Sequence, residues 1–177
     1  SQHQFQVLDD SILVFVNGDE YSYDGSSEEE NFNITGHIFA ELDYKVIDIL
    51  HIGHVRSLEE ASSLGDRLIV AINSDASVRS LKGNNRPIQG ELERAYTLLC
   101  LEFVDAVVLF HGERLDQEIQ ALQPDVYAKG GDYSIETIDS VERDALQQAG
   151  SRIQFIPFLD GYGTTDLIRR IKELPDD

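Results

Sequence analysis

The sequence has little cysteine, little lysine and no long apolar run. Its single cysteine, Cys100, excludes an internal disulfide and is typical of a reducing compartment, so a cytoplasmic location is expected. No apolar run approaches the roughly 18 residues that a membrane-spanning helix needs. The opening SQHQFQVLDD has neither the basic start nor the apolar centre of a signal peptide. We therefore expect a cytoplasmic protein with no membrane partner.

Positive charge is scarce as well. The chain has four lysines and a formal net charge of −19, whereas a nucleic-acid surface needs clustered Lys and Arg. Nucleic acid is therefore excluded as a general partner. A small anion needs only a few cations in one place, and Lys82 and Lys129 each stand directly before a glycine.

Apolar strand-like runs alternate with segments of helical period. Predicted strands cover residues 11–17, 67–72, 106–110, 125–129 and 152–157. Predicted helices cover residues 55–64, 91–103, 114–123, 137–149 and 164–174. This alternation predicts an α/β fold over residues 1–177: a single Rossmann-like domain with a doubly wound parallel sheet and helices on both faces.

Short polar motifs follow the predicted strands. They are VNG at 16–18, NSD at 73–75, FHG at 110–112, KGGDY at 129–133 and DGYGTT at 160–165. Singly, each is typical of an ordinary turn or helix cap. Ligands of such folds bind at the carboxyl ends of the strands, so the shared position of the motifs predicts one site at that edge.

The stretch DILHIGHVRSLEEA, residues 48–61, places two histidines around a glycine at the start of a predicted helix. A helix cap beside a packed histidine is the ordinary interpretation of such a pattern. Asp48, His51 and His54 have the spacing of a metal site. Alternatively, Gly53 lets a phosphate approach the helix amides while both imidazoles bind its oxygens, and only this interpretation explains the glycine.

DILHIGHVRSLEEA, taken with NSDASVRSLKG, RPI, ER, KGGDY and the late TT, resembles the HxGH nucleotidylyltransferase superfamily. Within it, the chain is similar to the heptose-1-phosphate adenylyltransferase domain. The resemblance covers residues 11–18 and 46–174. It implies AMP transfer from ATP to D-glycero-β-D-manno-heptose 1-phosphate, with release of pyrophosphate, Mg²⁺ bound through the phosphates, and a homodimer. Alternatives are a cytidylyltransferase acting on glycerol 3-phosphate or a similar alcohol phosphate, and an inactive binding or assembly protein on this scaffold.

The resemblance also implies the site residues. His51 and His54 would contact the triphosphate, and Lys82 would reach it from a mobile loop. The expected nucleotide- and phosphate-binding residues are Asn17, Gly18, Asp48, Gly53, Asn73, Asp75, Arg79, Arg86, Lys129, Gly130, Gly131, Asp132, Tyr133, Thr164 and Thr165.

One segment departs from the family pattern. Residues 19–45 separate Gly18 from the HIGH motif and contain eight acidic residues and one lysine. We expect an inserted acidic segment at the rim of the site, forming a hairpin, a lid or an arm. Its charge would repel ATP, which is why an inactive scaffold is among the alternatives.

Overall fold

The computed structural model describes residues 4–9, 12–16, 37–42, 47–157, 159 and 161–175. The strands within these ranges are β1 (Gln4–Asp9), β2 (Ile12–Val16), β3 (His37–Leu42), β4 (Arg67–Asn73), β5 (Ala106–Phe110), β6 (Val126–Gly130) and β7 (Arg152–Ile156). The helices are α1 (Ile52–Ser62), α2 (Asp75–Lys82), α3 (Glu91–Leu99), α4 (Asp116–Leu122), α5 (Ser140–Ala149) and α6 (Thr164–Lys172). None of these helices has the length and apolar character needed to cross a membrane.

The described strands form one sheet in the order β1-β2-β5-β4-β3-β6-β7. Strands β5, β4, β3, β6 and β7 run parallel, whereas β1 and β2 form an antiparallel hairpin on the β5 edge. From β3 the chain moves outward through β4 to β5, and then returns past β3 to β6 and β7. The reversal places a switch point between β3 and β6, where the carboxyl ends of the strands border a crevice. The predicted α/β parallel-sheet fold is confirmed.

Helices cover both faces of the parallel strands, and each face has its own core. Because successive side chains of a strand point to opposite faces, Ile38 belongs to the core with Leu58 of α1 and Leu98 of α3. Its neighbour Phe39 belongs to the opposite core with α4 and α5. We call these the α1 face and the α5 face.

The first parallel strand is not the one that the sequence predicted. Residues 11–17 were expected to fill that position, but β2 runs antiparallel to β5, with Val16 opposite Ala106. The chain therefore leaves β2 at the amino edge of the parallel strands, away from the crevice. Asn17 and Gly18 themselves lie outside the described residues. An apolar run predicts a strand but not its direction, which explains the error.

Strand β3 occupies the position that β2 was expected to fill. It pairs with β4 on one side and with β6 on the other. Residues 37–42 therefore form the centre of the sheet, and the expectation that all of 19–45 is an insertion at the rim is wrong for this part. The other residues of 19–45 lie outside the described ranges.

Helix α2 was also not predicted: NSD was interpreted as a turn or helix cap, and the resemblance placed Lys82 on a mobile loop. The Ser74 hydroxyl accepts a hydrogen bond from the Ser77 amide at 3.2 Å and so caps the helix. Val78 is buried and anchors it. The helix is short, so its apolar period rests on too few positions to stand out in the sequence.

Candidate active site

The HIGH motif forms the start of α1. His51 has the extended backbone of a cap residue (φ −140°, ψ 169°), and its side chain does not cap the amides of the first turn. Those amides are the positive end of the helix dipole and lack intrahelical partners. The start of α1 thus has the features of an anion-binding helix terminus.

The two imidazoles of the motif stack on each other. Their ring centroids are 3.8 Å apart and the ring planes differ by 21°. Within the described part of the chain, the Nδ1 atoms of His51 and His54 are buried without a hydrogen-bond partner. Buried polar atoms are normally satisfied, so two adjacent exceptions are consistent with a polar ligand bound at this point.

Both histidines are held in the neutral form. Burial lowers the pKa of His51. Burial has the largest effect on His54, and electrostatic interactions with His51 and Lys82 act in the same direction. Together they lower its pKa to about 3, against the smaller effect of a hydrogen bond with the Ile49 backbone. The rings therefore offer hydrogen-bonding nitrogens at neutral pH, and positive charge near them comes from helix termini and basic side chains.

A side chain at Gly53 would crowd neighbouring side chains. A Cβ atom there would lie 3.0 Å from Cε1 and Nδ1 of His51 and 3.3 Å from Cβ of Tyr162. The structure therefore gives a packing reason for the glycine, and its predicted role of leaving room for a phosphate stays a prediction. Tyr162 lies inside the DGYGTT motif but was not singled out, because nothing in the sequence indicates its contact with Gly53.

The same contact brings a second helix start to the site. Gly163 precedes α6 in extended conformation (φ −160°, ψ 152°), and α6 begins at Thr164 and Thr165. Tyr162, two residues before Thr164, lies close to Gly53 at the start of α1, since a Cβ atom added at Gly53 would be 3.3 Å from Cβ of Tyr162. The segment that leads into α6 therefore lies beside the start of α1, and the binding role of Thr164 and Thr165 stays a prediction.

Lys82 approaches the histidines from α2. It is the last residue of that helix, directly before Gly83 (φ +89°), and its charge acts on His54. The expectation of a loop position is thus corrected to a helix end. Arg79 lies in the same last turn and is exposed.

Asp48 acts within the protein and does not join the histidines. Its buried carboxylate accepts hydrogen bonds from the Arg86 guanidinium, from the Ile88 amide at 2.6 Å and from the Gln89 amide at 3.3 Å. In the described ranges, no group of three or more His, Cys, Asp or Glu side chains could hold a metal ion. The arrangement favours the phosphate interpretation of the motif, with Asp48 fixing the segment that carries Arg86.

Asn73 and Asp75 are held by a residue that sequence reasoning passed over. The guanidinium of Arg94 donates to the Asn73 carbonyl and to the Asp75 carboxylate, each at 2.8 Å. Its Nε donates to the Gln89 carbonyl at 3.1 Å. Arg94 is fully buried, so it links the end of β4 to the Arg86 segment. The ER pair contributed to the resemblance, but an arginine on a helix gave no indication of burial.

Lys129 does not lie with the histidines. It follows Ala128 of the α1 face, so its side chain points to the α5 face, where Nζ is 3.5 Å from a Glu142 carboxylate oxygen. Gly130 and Gly131 are buried, and the Gly131 amide donates to the Ile156 carbonyl at 2.9 Å. Asp132 is exposed and Tyr133 is partly exposed. The predicted KGGDY group therefore borders the crevice from the other face of the sheet.

A protein-family model described as Cytidylyltransferase-like matches residues 46–169, from just before α1 into α6. The chain belongs to the cytidylyltransferase-like family. It is a nucleotidyltransferase, and the predicted membership of the HxGH nucleotidylyltransferases is confirmed.

Two curated relatives of this nucleotidyltransferase carry the same name. It is 48% identical over 123 residues to the bifunctional protein HldE of Koribacter versatilis, covering 70% of this chain and 25% of the relative. It is 41% identical over 157 residues to the bifunctional protein HldE of Citrifermentans bemidjiense, covering 84% of this chain and 32% of the relative. The chain thus spans about a quarter to a third of the length of these relatives.

A solved structure supports the fold independently. The lipopolysaccharide core biosynthesis protein from Thermoplasma volcanium superposes on the nucleotidyltransferase with a TM-score of 0.54 at 26% identity. The similarity covers 70% of this chain and 97% of that protein.

Proposed function

We propose that this nucleotidyltransferase transfers the adenylyl group of ATP to D-glycero-β-D-manno-heptose 1-phosphate, forming ADP-heptose and pyrophosphate. The names of the HldE relatives and of the lipopolysaccharide core biosynthesis protein support a role in heptose and lipopolysaccharide biosynthesis. The observation that carries the proposal is the stacked, neutral His51–His54 pair at the start of α1, with Lys82 close enough for its charge to act on His54.

The reaction needs alignment and charge stabilisation. A phosphate oxygen of the acceptor attacks the α-phosphorus of ATP, and the bond to the oxygen that bridges the α- and β-phosphates breaks, so that pyrophosphate leaves with that electron pair. The amides at the starts of α1 and α6 bind phosphate oxygens, and the imidazole nitrogens hold them in place. Lys82 stabilises the negative charge that grows on the leaving pyrophosphate.

Mg²⁺ is proposed to enter with ATP. The described residues offer no cluster of three metal ligands, so the fitting arrangement is an ion bound mainly by phosphate oxygens, as is usual for Mg²⁺ with nucleotides. When bound, it neutralises charge on the triphosphate. Neutral His51 and His54 suit this arrangement because they add no second positive charge beside the ion.

A cytidylyltransferase acting on glycerol 3-phosphate or a similar alcohol phosphate is the second candidate, because the matching family model is described as cytidylyltransferase-like. The two candidates share the phosphate site and differ in the base and the acceptor. Pyrophosphate release with CTP and glycerol 3-phosphate, but not with ATP and the heptose phosphate, would establish this second function. The homodimer implied by the resemblance stays a prediction for sedimentation velocity.

The first test measures pyrophosphate release from ATP and D-glycero-β-D-manno-heptose 1-phosphate with and without Mg²⁺. We expect turnover that needs the metal, and a loss of about a hundredfold or more in His54→Ala, because preorganised hydrogen-bonding groups at such a site contribute that much. Glu60→Ala, exposed on the same helix, is the control and should keep full activity. Full activity of His54→Ala would contradict the proposal.

A further inference from the structure

The stretch between β4 and α3 carries three basic side chains. We call residues 75–89 the basic segment. It holds Arg79, Lys82 and Arg86, and its one acidic residue is Asp75. In a chain with a net charge of −19 this is a local concentration of positive charge. Where these cations lie relative to a polyphosphate therefore depends on how the basic segment is held.

A single buried arginine joins the two ends of the basic segment. At one end, the Arg94 guanidinium donates to the Asp75 carboxylate and to the Asn73 carbonyl, each at 2.8 Å. At the other end, its Nε donates to the Gln89 carbonyl at 3.1 Å. The Arg94 side chain is fully buried, so a substrate cannot touch it. Any effect of Arg94 on the reaction must therefore pass through the segment that it closes.

Helix α2 forms the first half of the basic segment and is held at its first turn. The Asp75 amide donates to Oε2 of Glu91 at 2.7 Å, and the Ser77 hydroxyl donates to the Gly112 carbonyl at 3.1 Å. Ser77 and Val78 are buried, whereas residues 79–82 are exposed. Lys82 thus stands at the far end of a short helix that is fixed at its base.

A small error at the base of α2 is enlarged at Lys82. The helix rises by 1.5 Å per residue, so roughly 10 Å separate Asp75 from Lys82 along its axis. A tilt of about 6° at the first turn then moves the Lys82 end by about 1 Å. A displacement of that size costs a catalytic group about a hundredfold in rate.

Arg94 is not a good choice of side chain for stability alone. Within the described part of the chain its Nη1 atom is buried without a hydrogen-bond partner, and Asp75, its counter-ion, is 25% exposed. A buried charge with an unmatched donor costs free energy that an apolar side chain would not. What the guanidinium provides, and an apolar side chain cannot, is the set of hydrogen bonds that joins the ends of the basic segment.

We propose that Arg94 is a positioning residue of the transfer reaction, which closes the base of the basic segment and so aligns Lys82 with the leaving pyrophosphate. This step rests on the proposed function, in which Lys82 stabilises the charge of that leaving group. Arg86 has a separate tie to the Asp48 carboxylate and keeps its place without Arg94. The effect of Arg94 therefore falls on α2 and on Lys82 at its end.

Substitution of Arg94 should change kcat far more than KM. Arg94→Lys keeps a buried charge beside Asp75 but cannot reach both ends of the segment, because an ammonium lacks the planar fork of a guanidinium. We expect kcat to fall about a hundredfold. The KM for ATP should stay within about twofold, because the interaction with growing charge is made in the transition state.

Two further variants keep this test independent of folding. Arg94→Met combined with Asp75→Asn removes both charges, so that neither is buried without its partner, and it should lose kcat to the same extent. Leu146→Ala in the opposite core is the control for lost stability and should keep the parent kcat at a temperature where it stays folded. A parent-like kcat in both Arg94 variants would overturn the proposal.

A double-mutant cycle with Lys82 separates positioning from a general disturbance. Lys82→Met alone should lower kcat about a hundredfold. If Arg94 acts through Lys82, adding Arg94→Lys to Lys82→Met should lower kcat by less than about threefold more, because residues that act together are non-additive. Effects that multiply, or a KM for ATP that rises as much as kcat falls, would overturn the proposal.

A crystal structure of Arg94→Lys keeps this inference distinct from the proposed function. We expect the Lys82 end of α2 to move relative to α1 by about 1 Å or more. If the parent protein releases no pyrophosphate, the proposed function fails, yet a displaced Lys82 would still support the role of Arg94 in placing the basic segment. An α2 helix in its parent position would overturn the inference.

Discussion

The His51 ring lies next to Gly53, where a Cβ atom would point. Substitution of Gly53 by alanine adds one methyl group and tests how much the position of the ring matters. In Gly53→Ala the Cβ atom would lie 3.0 Å from that ring, which must move and disturb the stack with His54. The crowding lowers stability, but alanine favours a helix over glycine by up to about 1 kcal/mol. Because the two effects oppose each other, we expect little change in thermal stability. A shift of the ring should lower kcat/KM about tenfold or more.

Pyrophosphate release and a thermal melt of the same sample measure the two effects of Gly53→Ala, with Glu60→Ala on the exposed side of α1 as the matched control. Unchanged kcat/KM in Gly53→Ala would show that the stacked geometry is not needed for turnover.

His54 should make the fold sensitive to acid. Its pKa is 6.5 in the unfolded chain and about 3 in the folded one, so between these values the unfolded state binds an extra proton. The free energy of unfolding should therefore fall as the pH drops below 6.5, by at most about 1.4 kcal/mol per pH unit from this group. Urea titrations of the parent and of His54→Gln between pH 7 and pH 4 measure the difference, and parallel curves would contradict it.

For single residues, the sequence predicted a candidate site but not the partner of each side chain. The spacing of His51 and His54 indicated a phosphate site at a helix start, and the structure stacks the two rings there. Asp48 was grouped with the histidines, yet it binds the Arg86 segment, some 40 residues away in the sequence. Which face of the sheet the Lys129 side chain points to depends on strand register. Neither the partner of Asp48 nor the face of Lys129 is indicated by the neighbouring residues in the sequence.

Strand β3 lies at the centre of the parallel strands, where it pairs with both β4 and β6. Loss of its buried side chains should therefore destabilise the whole sheet. Phe39 is fully buried in it, and Phe39→Ala should lower the free energy of unfolding by about 3–5 kcal/mol. Val141→Ala, at a position 42% exposed on α5, should change it by less than about 0.5 kcal/mol. Urea unfolding followed by circular dichroism measures both.

The central position of β3 also predicts the effect of deleting residues 19–45. It removes β3 and leaves β4 and β6 without their shared neighbour, so we expect no cooperative unfolding transition. A deletion variant with native circular dichroism and a sharp transition would show that another segment replaces β3.

The predicted elements differ in how well local patterns determined them. Four parallel strands and five helices were found near their expected positions because each has a clear period and a boundary signal such as Gly150 after α5. The choice between β2 and β3 as the first parallel strand was wrong, since both are apolar runs and only pairing with β4 and β6 distinguishes them. Local patterns carry no information on pairing.

The whole molecule carries a formal net charge of −19, while its proposed substrates are anions. At low ionic strength this charge repels ATP over long distances, whereas Lys82 and the helix termini attract it only nearby. We therefore expect the KM for ATP to fall as NaCl is raised from about 10 mM to about 100 mM, where the screening length shortens to roughly 10 Å. Initial rates at fixed Mg²⁺ measure this effect. A KM that rises over this range would show that local cations dominate.

The central position of β3 also affects how the chain folds during synthesis. Ile38 pairs with Val126 of β6, and at about 10 residues per second a ribosome needs roughly nine seconds to make the chain between them. β4 is made much sooner and can cover one edge of β3. The other edge of an apolar strand stays open for those seconds. Chaperones that bind unpaired strands on nascent chains therefore have several seconds in which to bind β3.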